Sequence, residues 1–306
     1  MRNDIYAGDA LARYDEWDTP KVIMSDGPYG LGIFPGETRD AEDLQAIYEP
    51  HVAAWSLAAK PNTTLWFWCS ELGWGETHTL LRNYRWVYQE AIIWDKGPGH
   101  IAGKVNSKTV KGVPVSTEIC VRYTQEPDIE GLHLRDWLRR EWKRSGLPMS
   151  RANEACGVRS AATRKWLTND HLWYAPDRAA VEAMGRFCAQ HGTPTDRPYF
   201  DMSGFDYDEL FPTWNHQHGF TNVWQEPAVR GVERIKVNGA TAHPNQKPLS
   251  LMRRIIELSS NPGDVIWEPF GGLSSASVAA RDLGRSYCTA EINPTFSELS
   301  RHRLTS

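Results

Sequence analysis

The chain has little cysteine, and what it has is poorly placed for bonding. Cys69, Cys120, Cys156, Cys188 and Cys288 are odd in number and scattered, with no pair at CxxC spacing. That excludes a disulfide framework or a zinc knuckle and fits a reducing compartment. Metal ligands are equally sparse. The closest histidines, His216 and His218, adjoin no further ligand cluster, so a polar loop rather than a metal site is expected there. No stretch approaches the roughly 18 apolar residues of a membrane span. Residues 1–10 carry charges where a signal peptide needs an apolar core. Neither a membrane nor export is expected, and the cytoplasm is the expected location. There is no internal repeat and no low-complexity tract, which argues against a solenoid or a fibrous protein. The net charge of -4 argues against a protein that coats a polyanion over its whole surface.

The charge that is present is clustered. Residues 132–166 hold nine basic side chains against three acidic ones, and residues 96–112 hold Lys96, Lys104, Lys108 and Lys111 with four glycines and no acid. The second stretch reads as a mobile basic loop. Two basic surfaces on an acidic body point to localised contact with a polyanion. At 306 residues and 41% hydrophobic, the chain can form one large α/β domain, or one such domain carrying an inserted module.

Apolar patterning divides the chain into residues 1–127, 128–210 and 211–306. The first zone offers buried-strand candidates at 21–25, 62–69, 88–94 and 118–123, with a helical stretch at 40–60. The last zone alternates in the same way: helix 248–260, strand 264–267, a glycine turn, helix 274–283 and strand 286–290. Alternating strands and helices predict a mostly parallel sheet. The middle zone turns helical and basic. Leu132, Leu134, Leu138 and Trp142 space one helix; residues 150–156, a turn at Gly157 and residues 160–167 describe a helix-turn-helix whose second helix bears Arg159, Ser160, Arg164 and Lys165 at its start and along it. A solvated helical bundle with a charged face would show the same pattern.

Two segments carry chemistry. The first strand runs into Asp26-Gly27-Pro28-Tyr29-Gly30. An exocyclic amino group on a base has its lone pair delocalised into the ring. An enzyme acting on it must hold the NH2 between two acceptors, here the Asp26 carboxylate and a main-chain carbonyl, with Tyr29 stacking on an extruded ring. Taken alone, this string is an ordinary turn. Near the other end, a strand meets Glu268-Pro269-Phe270-Gly271-Gly272 and opens into a helix. One strand later Glu291 ends a strand, where a carboxylate can hold ribose hydroxyls. His243-Pro244-Asn245-Gln246-Lys247-Pro248 precedes the helix before this pair.

These residues, in this order, resemble the β-group amino-methyltransferases of DNA, in which the catalytic motif precedes the cofactor motif. The similarity covers both outer zones. Asp26, Gly27, Pro28 and Tyr29 resemble the family's catalytic motif, an Asp, Asn or Ser followed by Pro-Pro and an aromatic. HPNQKP is similar to the HPxxKP segment at the methionine end of the cofactor, which brings in His243 and Lys247. Glu268, Phe270, Gly272 and Ser274 are similar to the DPFxGxG turn, and Glu291, with Asn293 beyond it, to the ribose-binding acid. Gly8-Asp9 resembles the family's GD, whose Asp approaches the cofactor adenine. Trp94-Asp95-Lys96-Gly97 resembles a segment near the target-base pocket. Four positions depart from the pattern: Gly27 for the first proline, Glu268 for Asp, Ser274 for the second glycine and Ala290 for the glycine before the acid.

The resemblance implies a Rossmann-like methyltransferase sheet with circularly permuted motif order and a helical target-recognition insertion. It implies S-adenosylmethionine as cofactor, double-stranded DNA as partner and no metal. Lys96, Lys104, Lys108, Arg159, Ser160, Arg164 and Lys165 are the expected DNA contacts. Adenine N6 is the expected target, because Asp usually leads the motif in adenine enzymes; cytosine N4 stays the alternative. A DNA-binding protein with a decayed catalytic half is the rival from another class, and a homodimer is left open. A protein or RNA substrate is disfavoured by the helical insertion, since a helix suits the major groove of B-form DNA and not that of A-form RNA.

Overall fold

The computed structural model describes residues 3–32, 38–101, 110–159, 162–168, 171, 173–216 and 218–305. Lys104, Lys108 and Ser160 lie outside the described residues. In chain order the first elements are β1 (Asp4–Ala7), β2 (Val22–Ser25), α1 (Leu44–Ala58), β3 (Thr64–Cys69), α2 (Glu71–Asn83), β4 (Trp86–Asp95) and β5 (Thr117–Gln125). Four helices follow: α3 (Leu134–Arg144), α4 (Ala152–Cys156), α5 (Ala162–Leu167) and α6 (Arg178–His191). The last are β6 (Val223–Gln225), β7 (Lys236–Val237), β8 (Ala240–Thr241), α7 (Leu249–Ser259), β9 (Val265–Glu268), α8 (Ser275–Asp282), β10 (Ser286–Glu291) and α9 (Pro294–Thr305). Among the described residues no helix is long and apolar enough to cross a membrane.

The chain divides into two compact units, one made of Met1–Gln125 with Pro212–Ser306, the other of Glu126–Phe211. The first unit is built on an eight-stranded sheet of order β1-β10-β9-β2-β3-β5-β4-β6, in which only β5 runs antiparallel to its neighbours. This is the Rossmann-like α/β architecture. The side-chain period of two explains how it is covered on both faces. Ile23, Leu65, Phe67 and Trp267 point to one core with α1, while Val22, Met24, Trp66, Trp68 and Ile266 point to the other with α7 and α8. Alternate residues of one strand thus feed opposite cores, which is why β3 reads as an unbroken buried run.

The topology decides where chemistry can occur. β1, β10, β9, β2 and β3 are mutually parallel, so their carboxyl ends share one edge. In an open α/β sheet the crevice beyond that edge takes the ligand. Asp9, Glu291, Glu268, Asp26 and Ser70 all sit at or just past these strand ends. Asp26 and Glu268 are brought together there because β2 pairs with β9, although they stand 242 positions apart in the sequence.

The second unit packs α3 and α6 around Trp137, Leu138, Trp142, Val181 and Met184. Trp137 meets Phe200 and Phe205 edge-on at 5.9 and 5.7 Å. α4 ends at Gly157 in the left-handed region, φ +63°, and Val158 N–H returns to the Asn153 carbonyl at 3.0 Å before α5 begins. A glycine is what such a helix stop requires. A carboxylate is sealed inside this unit. Glu141 is fully buried and accepts from Arg144 at 2.7 Å, Arg140 at 3.2 Å and the Phe200 N–H at 3.1 Å. Removing a buried carboxylate and stranding its donors is costly. Glu141→Ala is expected to lower unfolding stability by about 3 kcal/mol or more, and Glu141→Gln by less, because its amide oxygen can still accept. Denaturant unfolding followed by tryptophan fluorescence checks this; a loss in Glu141→Ala no larger than that of an exposed substitution contradicts it.

Candidate active site

The glycine turn after β9 is built for close approach. A Cβ on Gly271 would lie 2.6 Å from the Thr289 hydroxyl, and the Gly271 N–H is tied to the Ala290 carbonyl at 2.7 Å. Gly272 takes φ +53° and donates its N–H to Glu291 at 2.7 Å. α9 holds the turn from behind, with Ser300 Oγ donating to the Gly272 carbonyl at 2.8 Å. The turn forms one wall of a cleft of about 210 Å³ that also contains Asp26, Tyr29, His243 and Glu291. Burial pushes the Glu291 carboxyl above its ordinary range, although the Asn293 and Gly272 N–H groups counter that shift. Burial also pushes His243 down to about 4, so its ring is neutral at pH 7; it lies edge-on to Phe296 at 4.8 Å.

Several expected cofactor residues have structural tasks of their own. Glu268 is buried and caps α8, accepting from the Ala276 and Ser277 N–H groups at 3.0 and 2.7 Å and from Ser277 Oγ at 2.6 Å. Burial pushes its carboxyl up to about 7 against those donors. Asn293 is exposed and caps α9 through the Thr295 and Phe296 N–H groups. Ser274 adopts φ +51°, the conformation a glycine occupies without strain, and is fully buried with Oγ 3.1 Å from Thr289 Oγ1. Its side chain therefore braces the turn from inside. Asp9 is exposed beyond β1 and caps a short 3-10 turn through the Leu11 N–H, while Gly8 donates to the Glu291 carbonyl.

At the end of β2, Asp26 lies in a chain of charges. Lys247 is 4% exposed, and its ammonium stands 2.7 and 2.9 Å from the two Asp26 oxygens, 3.1 Å from the Tyr29 hydroxyl and 3.3 Å from Glu118. The far oxygen of Glu118 pairs with Lys96. Burial alone would lower the Lys247 ammonium, but Asp26 and Glu118 outweigh it and hold it above its ordinary value. The same balance, with Lys247 and Lys96 outweighing burial, keeps Glu118 below the usual carboxylate range. A buried ammonium needs carboxylates more than it needs room.

Three expected site residues have partners here that the sequence did not display. Lys247 lines the cleft, and its ammonium is held by Asp26, Tyr29 and Glu118. Lys96 is not an open phosphate contact; it is half-buried, paired to Glu118 and 4.8 Å from the Trp94 ring centroid. Tyr29 lines the cleft beside Asp26. It is 8% exposed, and its hydroxyl donates to Asp26 at 2.9 Å, so it braces the carboxylate. Glu118 was missed by sequence reasoning, because a lone acid in a strand gives no sign of partners 22 and 129 positions away.

Gly27 is explained by its neighbours. Phe270 packs on Tyr48 and His51, at 5.7 and 4.8 Å between centroids, and Tyr48 donates to the Pro28 carbonyl at 3.0 Å. A Cβ on Gly27 would lie 2.6 Å from the Tyr48 hydroxyl and 2.9 Å from the Phe270 ring. The glycine makes room for two aromatic side chains. Of the other expected DNA contacts, Arg159 is exposed and lies between α4 and α5, not on the second helix as expected, while on α5 Arg164 is exposed and Lys165 half-buried. Among the described residues no cluster could hold a metal ion, and His216 and His218 simply face each other at 5.1 Å.

Residues 21–302 match the model of a family described as DNA methylase. Over 141 residues the chain is 30% identical to the Type II methyltransferase M.HinfI of Haemophilus influenzae, a region that is 45% of this chain and 39% of that protein. Over 91 residues it is 40% identical to the DNA adenine methyltransferase YhdJ of Escherichia coli (strain K12), 30% of each. The chain thus spans well under half the length of these curated relatives. The M1.HpyAVI-SAM complex shares the fold, with a TM-score of 0.57 at 15% identity over 99% of both chains.

The Gly27 packing has a direct consequence. Gly27→Ala is expected to cost about 1 to 3 kcal/mol by overpacking, and Gly27→Ala with Tyr48→Phe to recover part of that loss, since the nearest clash is the hydroxyl. Thermal unfolding of the two variants checks it; a Gly27→Ala protein as stable as wild type contradicts it.

Proposed function

We propose, from the premise that the chain belongs to the DNA methylase family, that it methylates the exocyclic amino group of a base in duplex DNA, with adenine N6 as the target. The observation that carries this is the placing of a brace-held carboxylate, Asp26, beside a glycine cradle on the adjoining parallel strand. S-adenosylmethionine, when bound, supplies a methyl group made electrophilic by its sulfonium. The residues suited to hold it are Gly271, Gly272, Glu291, Phe270 and His243. The cradle at Gly271 and Gly272 has no side chain to exclude a ligand, and Glu291 stands at a strand end with its backbone donors already aligned.

Asp26 and the Gly27 carbonyl are the two acceptors for the amino protons, since the Pro28 carbonyl is already taken by Tyr48. Holding both protons on these two acceptors favours a pyramidal nitrogen, whose lone pair is less conjugated with the ring and free to attack the methyl carbon. The carboxylate also offsets the positive charge that grows there and can take the departing proton at one oxygen. Reaching a base inside a duplex requires flipping it out. The exposed Arg159 and Arg164 of the helix-turn-helix support phosphate or base-edge contact by the second unit. Adenine is favoured by Asp at the head of the motif and by the relative named as a DNA adenine methyltransferase.

The test is to incubate the protein with labelled S-adenosylmethionine and mixed-sequence duplex DNA, then digest to nucleosides. N6-methylated deoxyadenosine is expected, lost in Asp26→Ala while calorimetric binding of the cofactor persists. N4-methylated deoxycytidine alone would overturn the choice of base, and transfer preserved in Asp26→Ala would overturn the role of the motif.

A further inference from the structure

The row Asp26, Lys247, Glu118, Lys96 alternates in sign and runs between two cavities. Asp26 and Lys247 line the cleft with the glycine turn. Glu118 and Lys96 line a neighbouring cavity of about 270 Å³. Lys247 is divided between two carboxylates, nearer to Asp26 than to Glu118, and Glu118 is itself divided between two ammonium groups. The row sums to zero. Without Glu118 it would carry an uncompensated positive charge, placed against the carboxylate that must accept amino protons.

We propose that Glu118 is a positioning residue that draws the Lys247 ammonium away from Asp26, so that the Asp26 carboxylate remains able to accept and remove an amino proton. The inference rests on the functional reading above and deepens it. As the nitrogen to carbon bond forms, the carbon to sulfur bond breaks with its electron pair left on sulfur, and one N–H proton passes to Asp26 and then to solvent. An ammonium bound tightly to Asp26 opposes that transfer, because a carboxylate beside an uncompensated cation is a weaker base. Glu118 shares the ammonium and restores the balance. Lys96 sets how much of Glu118 is available for Lys247.

The groups facing Asp26 allow the effect to be read. Tyr29 donates to it, and burial together with the Asp26 and Glu118 charges holds its phenol well above the ordinary range. Cys69 and Cys120 are buried thiols pushed upward, chiefly by burial, and the His243 ring is neutral. None of these changes charge near neutrality; Glu268, pushed up to about 7 by burial, and Glu291 line the same cleft but are common to wild type and variants, so differences between them report Lys247, Glu118 and Lys96.

The experiment is a carbon-13 NMR titration of the Asp26 carboxyl in the resting protein, compared with Glu118→Gln and Lys96→Met. The midpoint is expected to fall in Glu118→Gln, where Lys247 collapses onto Asp26, and to rise in Lys96→Met, where Glu118 is freed to take more of Lys247. Shifts of about half a pH unit or more in opposite directions are predicted. Unchanged midpoints, or shifts of the same sign in both variants, would overturn the proposal. In the methylation assay Glu118→Gln should lower kcat on the order of tenfold with KM for the cofactor little altered, and Glu118→Asp should restore part of the rate; equal loss in Gln and Asp variants counts against it. A wild-type protein that methylates no DNA would overturn the functional reading, while the titration still decides the electrostatic proposal.

Discussion

The buried pair of Lys247 with Asp26 joins residues 221 positions apart. An ammonium removed from water must find carboxylates, and the nearest set is offered by the turn after β2 together with Glu118. The segment before α7 therefore closes onto the end of β2. Sheet order does the rest, because β9 lies beside β2 and brings the glycine turn to the same edge. Two motifs from opposite ends of the chain thus face one cleft.

The departures from the family pattern make sense as compensations. Gly27 opens the space that Tyr48 and Phe270 fill, and Tyr48 then holds the Pro28 carbonyl. The longer arm of Glu268 reaches the first N–H groups of α8, where a carboxylate is also favoured by the helix dipole. Ser274 bears the strain of a left-handed conformation and keeps a buried hydroxyl contact with Thr289 in return. Each substitution is legible only with its neighbour in view.

What the sequence displayed and what it concealed follow from range. Strands β2, β3, β9 and β10 showed as apolar runs, and the motif order fixed the fold class, because these are local signals. β1 is four residues of mixed polarity and α2 contains Gly73 and Gly75, so neither stood out; α6 was submerged in a zone that read only as helical. The pairing of Asp26 with Lys247, the double hold of Glu118 and the room required at Gly27 depend on contacts between distant segments. Lys96 looked like a loop lysine because four lysines without an acid read as a solvated stretch; the acid that claims it stands on β5.

The most direct measurement is a double-mutant cycle on unfolding free energy with Asp26→Asn, Lys247→Met and the pair combined. If the buried ion pair ties the two motif segments together, each single variant strands a partner and the double variant costs less than their sum, with a coupling of about 1 to 3 kcal/mol. Losses that add to within about 0.5 kcal/mol would show that Lys247 and Asp26 do not hold each other, and would contradict the account.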